Sequence, residues 1–110
     1  MRLFSGKEII SDNIKTASGF MDRFMGLMGQ KSISEDLVMY FPACNSIHTY
    51  FMKIPIDVIM LDRKGQIVFI RENVVPWNMA FCFMAKDTIE MKSGAIRRFE
   101  LKIGGTLTIK

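Results

Sequence analysis

Side chains that commonly carry chemistry are scarce in this chain: one histidine, one tryptophan and two cysteines in 110 residues. Two cysteines cannot make a disulfide-dense secreted scaffold, and they suit a reducing compartment, although one Cys44–Cys82 bridge is compatible with the count. No Cys-x-x-Cys or His-x-x-x-His spacing occurs, so no local motif marks a metal site. No window approaches the ~18 apolar residues that a membrane-spanning helix needs, and the N-terminus lacks the apolar core of a signal peptide. Basic residues are scattered. The only adjacent pairs are Arg63-Lys64 and Arg97-Arg98, so the net charge of +4 reads as a solubility feature and argues against nucleic acid. Gly26-Leu27-Met28-Gly29 lacks the Lys and Ser/Thr of a phosphate loop. Internal repeats, linkers and low-complexity tracts are absent. The chain therefore reads as a soluble, cytoplasmic single domain over 1–110, with no membrane insertion.

What is present is an ordinary globular mix, with 49% hydrophobic and 24% charged residues, enough to bury a core without a metal or a bridge. Leu3-Phe4 and Glu8 to Thr16 predict short strands, with turns at Gly6 and Asp12-Asn13. Ser18 to Gly29 switches to helical spacing through Phe20, Phe24 and Leu27-Met28. Strand signals follow at Leu37–Phe41, Ile47–Met52, Ile56–Leu61, Ile67–Glu72, Phe81–Ala85, Thr88–Met91 and Thr106–Ile109, with one or two helical turns at Ala95–Leu101. Asp62-Arg63-Lys64-Gly65 is the best hairpin turn, with Gly65 suited to positive φ. Across that hairpin Val58, Met60, Ile67 and Phe69 are expected to face one core. Val74 to Asn78 reads as a loop around Pro76-Trp77. The fold class is mainly β: a β-rich α+β sandwich or distorted barrel, jelly-roll-like, with one or two short helices.

Four segments recur in a familiar order: Arg23-Phe24-Met25-Gly26-Leu27-Met28, then Phe51 to Asp62, then Gly65-Gln66-Ile67-Val68, then Ile89 to Gly94 ahead of Gly104-Gly105-Thr106-Leu107. Together they resemble domain of unknown function family 192, over Thr16 to Ile109. Cys44-Asn45-Ser46-Ile47-His48-Thr49-Tyr50-Phe51-Met52 resembles a branch carrying Cys-x-Ser-Ile-His-Thr-x-Phe-Met, and Pro76-Trp77 and Cys82 fit it. Lys92-Ser93-Gly94 and Gly104-Gly105 depart from the Pro-Ala-Gly and Gly-Asp of the family. The resemblance implies a compact β-sandwich and no activity.

Cys44 and His48 are four residues apart, hence on one face of an extended segment but ~13 Å apart. A turn at Asn45-Ser46 would bring them to thiolate–imidazole range, with Asp57 or Asn78 as orienting groups. Cys44, His48 and Cys82 together also form a zinc-capable ligand set. Asp57 enters an apolar strand and needs donors, either Lys53 or backbone N–H groups; anchoring a loop is its simpler role and general base the sharper one. Glu90, between Ile89 and Met91, must face outward or be paired. Ten methionines read chiefly as core filling. Trp77, Phe81 and Phe83 are expected to wall a shallow apolar pocket. The reading is a non-catalytic ligand- or partner-binding domain with no cofactor. Its site lies where Cys44, His48, Tyr50 and Met52 meet Trp77 and Cys82, and its occupant is a small ligand or a protein. The alternative is a Cys/His enzyme or metal protein using Cys44, His48 and Cys82.

Overall fold

The computed structural model describes residues 1–17, 32–50 and 52–110. The predicted helix at Ser18–Gly29, the Arg23–Met28 motif and Phe51 lie outside them. Among the described residues the strands are β1 (Leu3–Ser5), β2 (Glu8–Ser11), β3 (Ile14–Thr16), β4 (Val38–Phe41), β5 (Ser46–His48), β6 (Ile56–Leu61), β7 (Ile67–Val74), β8 (Met79–Phe81), β9 (Asp87–Lys92) and β10 (Leu107–Ile109), with one short helix, α1 (Ala95–Arg98).

A central sheet runs β3-β4-β9-β6-β7, with β3 parallel to β4 and the other pairs antiparallel. All six residues of β6 are buried, which requires cover on both faces and explains why Ile56 to Leu61 is apolar but for Asp57. On one face Ile56, Val58 and Met60 join Met39 and Phe41, covered by the two-stranded ribbon β5–β8 through Ile47 and Ala80. On the other, Ile59 and Leu61 join Val38, Ile89 and Met91. That second core is closed by Leu3 and Leu107 of the sheet β10-β1-β2 and by Ala95 and Ile96 of α1. The result is a layered, mainly β fold of three sheets. Among the described residues these sheets do not close into a barrel, and the mainly β class expected from the sequence is the one found.

The hairpin forms as its turn chemistry dictates. Asp62 Oδ1 accepts from the N–H groups of Lys64 (2.8 Å) and Gln66 (2.9 Å), and Gly65 sits at φ 80°. The one-core grouping across it needs correction. Met60 pairs with Phe69 but Leu61 pairs with Ile67, so Val68 is an extra residue on β7. This bulge resets the alternation. Phe69 packs on the ribbon-side core with Val58 and Met60, while Ile67 enters the opposite core.

Two strands are shorter or shifted. The expected strand Ile47–Met52 ends as β5 at His48, because the chain turns at Thr49, whose carbonyl accepts from Met52 N at 3.2 Å. The expected strand Phe81–Ala85 becomes β8, Met79–Phe81, followed by a turn closed by Ala85 N to Cys82 O at 3.1 Å.

Candidate functional site

The ribbon brings the first cysteine segment and the tryptophan loop side by side. Ser46 lies opposite Phe81, Ile47 opposite Ala80 and His48 opposite Met79. Residues 77 to 83 alternate large and small: Trp77, Met79, Phe81 and Phe83 against Asn78, Ala80 and Cys82. Within β8, strand geometry sends Met79 and Phe81 to the face opposite Ala80, and Trp77 and Phe83 flank the strand in its turns. Ala80 and Cys82 face the core, Ala80 5% exposed and Cys82 packed on the same cluster. The large set faces out. Trp77 is 66% exposed, Met79 60%, Phe81 61% and Phe83 84%, and Met84 follows at 71%. They therefore stand on the surface, where Phe83 and Met84 line an open cleft. The alternation itself was visible in the sequence; its inverted orientation was not.

At one end of this face three rings stack. His48 and Tyr50 have centroids 4.9 Å apart at 25°, and Tyr50 and Trp77 5.8 Å apart at 22°. The turn beneath them is fixed by Thr49, which is fully buried. Its hydroxyl donates to Val75 O (2.7 Å) and accepts from Asn78 N (2.9 Å). Its main chain bonds Asn78 O (2.8 Å) and Trp77 N (3.0 Å). Asn78 adds Nδ2 bonds to Val75 O and Pro76 O, so its amide locks this turn instead of orienting His48. These bonds hold Trp77 at φ 67°, a left-handed conformation that costs a bulky residue about 1–3 kcal/mol. At the other end Phe83, Met84, Ala43, Asn45, Ala85, Arg63 and Lys86 line a cleft of about 470 Å³.

Both cysteines are free thiols, half-buried at the ribbon end of the first core. Cys44 Sγ donates to Ser46 O at 3.1 Å, Thr88 Oγ1 donates to Cys44 O at 2.7 Å, and Cys82 N donates to Asn45 O at 3.0 Å. Among the described residues no three His, Cys, Asp or Glu side chains gather as a metal-ligand cluster, so Cys44, His48 and Cys82 do not assemble the zinc set that their types allow. Met52 is buried in the core beneath this region.

The two acids on the central strands have other environments. Asp57 is fully buried and belongs to the alternation of Ile59 and Leu61, the face away from the ribbon. Its Oδ1 accepts from Asn73 N (2.8 Å), and its Oδ2 accepts from Gly94 N (3.1 Å) and Ile96 N (2.9 Å), tying β6 to β7 and to the start of α1. Backbone N–H groups, not Lys53, supply its donors. Glu90 corrects the expectation that it faces outward or is paired. It points into the ribbon-side core between Met39 and Val58, its cross-strand neighbours, and is 4% exposed. Among the described residues none hydrogen-bonds to it or forms an ion pair with it, and burial pushes its carboxyl up to about 8. The cause is β9's position between two strands with both faces covered, which sequence alternation alone cannot reveal.

The basic pairs do not form one patch: Arg63 and Lys64 lie in the β6–β7 turn, while Arg97 pairs with Glu72 (2.9 Å) and Arg98 with Glu35 (2.8 Å).

Comparison with known proteins supplies a family. The chain matches the model of DUF192, described as Uncharacterized ACR, over residues 3–109. It is 34% identical over 100 residues to a UPF0127 protein of Thermococcus kodakarensis, covering 86% of this chain and 63% of that protein. It is 32% identical over 102 residues to a UPF0127 protein of Thermococcus sibiricus, covering 88% and 66%. The chain thus spans just under two thirds of the length of these archaeal relatives. Two crystal structures share the fold, each with a TM-score of 0.79. One is a Novosphingobium aromaticivorans protein of unknown function (19% identity, 87% of this chain, 74% of that one). The other is a Sinorhizobium meliloti protein named as a proposed transcription regulator (22%, 86% and 79%). The match over nearly the whole chain, with relatives above 30% identity, makes this protein a member of the DUF192 family.

Proposed function

We propose that this chain is a non-catalytic binding domain whose contact surface is the outer face of the β5–β8 ribbon together with the Trp77 turn. The observation that carries this reading is the outward set Trp77, Met79, Phe81, Phe83 and Met84. At about 200 Å² per side chain of this size, their exposures amount to roughly 700 Å² of surface. That exceeds the largest apolar patch of an ordinary monomer, roughly 300–600 Å², and patches of that kind mark interaction sites.

Two features support recognition over chemistry. The ring stack and the Thr49 bonds hold Trp77 in one conformation before anything binds, which lowers the ordering cost of association. The thiol of Cys44 donates to the Ser46 carbonyl, and the His48 ring stacks on Tyr50 and accepts from its N–H through Nδ1 (3.5 Å).

Titration with anilinonaphthalene sulfonate tests the reading, with the emission of the single tryptophan followed in parallel. Wild type binds the dye and Trp77 emission changes. A Phe81→Ser/Phe83→Ser variant, altered only at exposed positions, unfolds at the same temperature and binds at least about tenfold more weakly. Equal dye binding by the two proteins would refute the proposal.

A further inference from the structure

We infer that the occupant of the ribbon face is a lipid surface carrying anionic headgroups. This rests on the binding role proposed for that face and adds the chemistry of what it meets.

The charge around the apolar set has one sign. Residues 42–54 and 75–86, which build the ribbon and its turns, contain Lys53 and Lys86 and no aspartate or glutamate. Arg63 lines the cleft with Phe83, Met84 and Lys86. Arg71 reaches the ribbon from β7, its Nη1 donating to Met79 O at 3.1 Å. The neighbouring acids are already engaged, one of them by the rim itself. Asp62 caps its own turn through Lys64 N and Gln66 N. Glu72 pairs with Arg97 at 2.9 Å. Asp87, with a side chain 13% exposed, accepts from Ala43 N (2.9 Å) and Tyr40 OH (3.4 Å), with Lys86 Nζ at 3.9 Å. An apolar centre of one tryptophan, two phenylalanines and two methionines therefore has Arg63, Arg71 and Lys86 at its rim.

This complementarity selects among occupants. A second copy meeting the same face would bring three cations against three. A peptide strand adding at the β8 edge would meet the Met79 carbonyl already bonded to Arg71. An anionic bilayer satisfies both features at once, since tryptophan and phenylalanine settle at the headgroup boundary while lysine and arginine meet the headgroups. The contact is peripheral: no helix among the described residues is long and apolar enough to cross a membrane.

Co-sedimentation of the full chain with vesicles tests this, using phosphatidylcholine alone and phosphatidylcholine with about 30 mol % phosphatidylglycerol. The expected result is partition to the anionic vesicles only, a blue shift of Trp77 emission, and loss of binding between about 0.1 and 0.5 M salt. Each cation near such a surface contributes about fivefold, so Arg63→Glu/Lys86→Glu weakens partition at least about 25-fold, and Phe81→Ser/Phe83→Ser also releases the protein. Equal partition to both vesicle types, or unchanged partition of the charge variant, overturns the lipid assignment. If vesicles fail while dye binding remains sensitive to Phe81→Ser/Phe83→Ser, the lipid inference falls and the binding face stands; if both fail, both fall. A concentration-dependent dimer that the same variant dissociates, without vesicle binding, makes a second copy the occupant and refutes the inference.

Discussion

Replacing Thr49 with valine removes one oxygen from a fully buried position and keeps the side-chain shape. Three contacts disappear: the hydroxyl's donation to Val75 O at 2.7 Å, its weaker share to Asn78 O at 3.3 Å, and the bond accepted from Asn78 N at 2.9 Å. Val75 O keeps a partner in Asn78 Nδ2 at 3.1 Å, so its loss is about 1 kcal/mol. Asn78 N is left without its acceptor, and an unsatisfied buried N–H costs about 1–3 kcal/mol. The expected destabilisation is therefore about 2–4 kcal/mol, which for a domain of this size lowers Tm by roughly 10–20 °C. Thermal unfolding followed by circular dichroism and by Trp77 emission measures it. Thr49→Ser restores the hydroxyl and loses only a methyl, so it should recover most of the stability, about 1 kcal/mol short of wild type. Because the lost bonds hold Trp77 at its left-handed φ, the tryptophan signal should also change in folded Thr49→Val. A Thr49→Val protein within about 0.5 kcal/mol of wild type, or a serine variant no better than valine, would refute the account of how the turn is held.

Glu90 couples stability to pH. Its folded carboxyl holds a proton up to about 8, well above the ordinary carboxyl range, so between those limits the folded state binds more protons than the unfolded one. Its contribution is complete at acid pH and is lost as pH rises through the window. Stability to urea should fall by about 3 kcal/mol between pH 5 and 7.5, and Glu90→Gln should flatten that slope and stabilise the protein at neutral pH; an unchanged slope in the variant would count against a carboxyl raised by burial. Asp57→Asn places amide hydrogens against the N–H groups of Asn73, Gly94 and Ile96 and should cost about 3 kcal/mol in chemical denaturation. An unaltered urea midpoint would sink that assignment. Gly65→Ala would set a Cβ 2.8 Å from Leu107 O at φ 80° and should destabilise by about 1–3 kcal/mol, read as a lowered Tm.

Much of the fold was legible because it is written in local chemistry. The Asp62–Gly65 turn follows from a carboxylate that caps its own loop and a glycine that tolerates positive φ. The apolar run Ile56–Leu61 marks a strand covered on both faces, and the family that the sequence resembled is the one to which the chain belongs. Errors arose where one residue changed the bookkeeping of faces. Val68 bulges, so Ile67 and Phe69 serve different cores. Thr49 bonds the loop across from it, so β5 stops at His48. Of the candidate residues, His48, Tyr50 and Trp77 stack at one end of the ribbon, while Cys44, Met52 and Cys82 pack on the ribbon-side core. Asp57 is committed to the opposite core, and Glu90 is buried in the ribbon-side one.

By itself the sequence determined the strand-rich class, the hairpin and the pairing of large with small residues from Trp77 to Phe83, since each depends on neighbours a few positions away. Tertiary structure alone decided which of those two sets faces water. A period of two defines two faces and is silent on which one meets a core. Here Ala80 and Cys82 fill the space against the central sheet, and Trp77, Met79, Phe81 and Phe83 are turned out to the surface where binding is proposed.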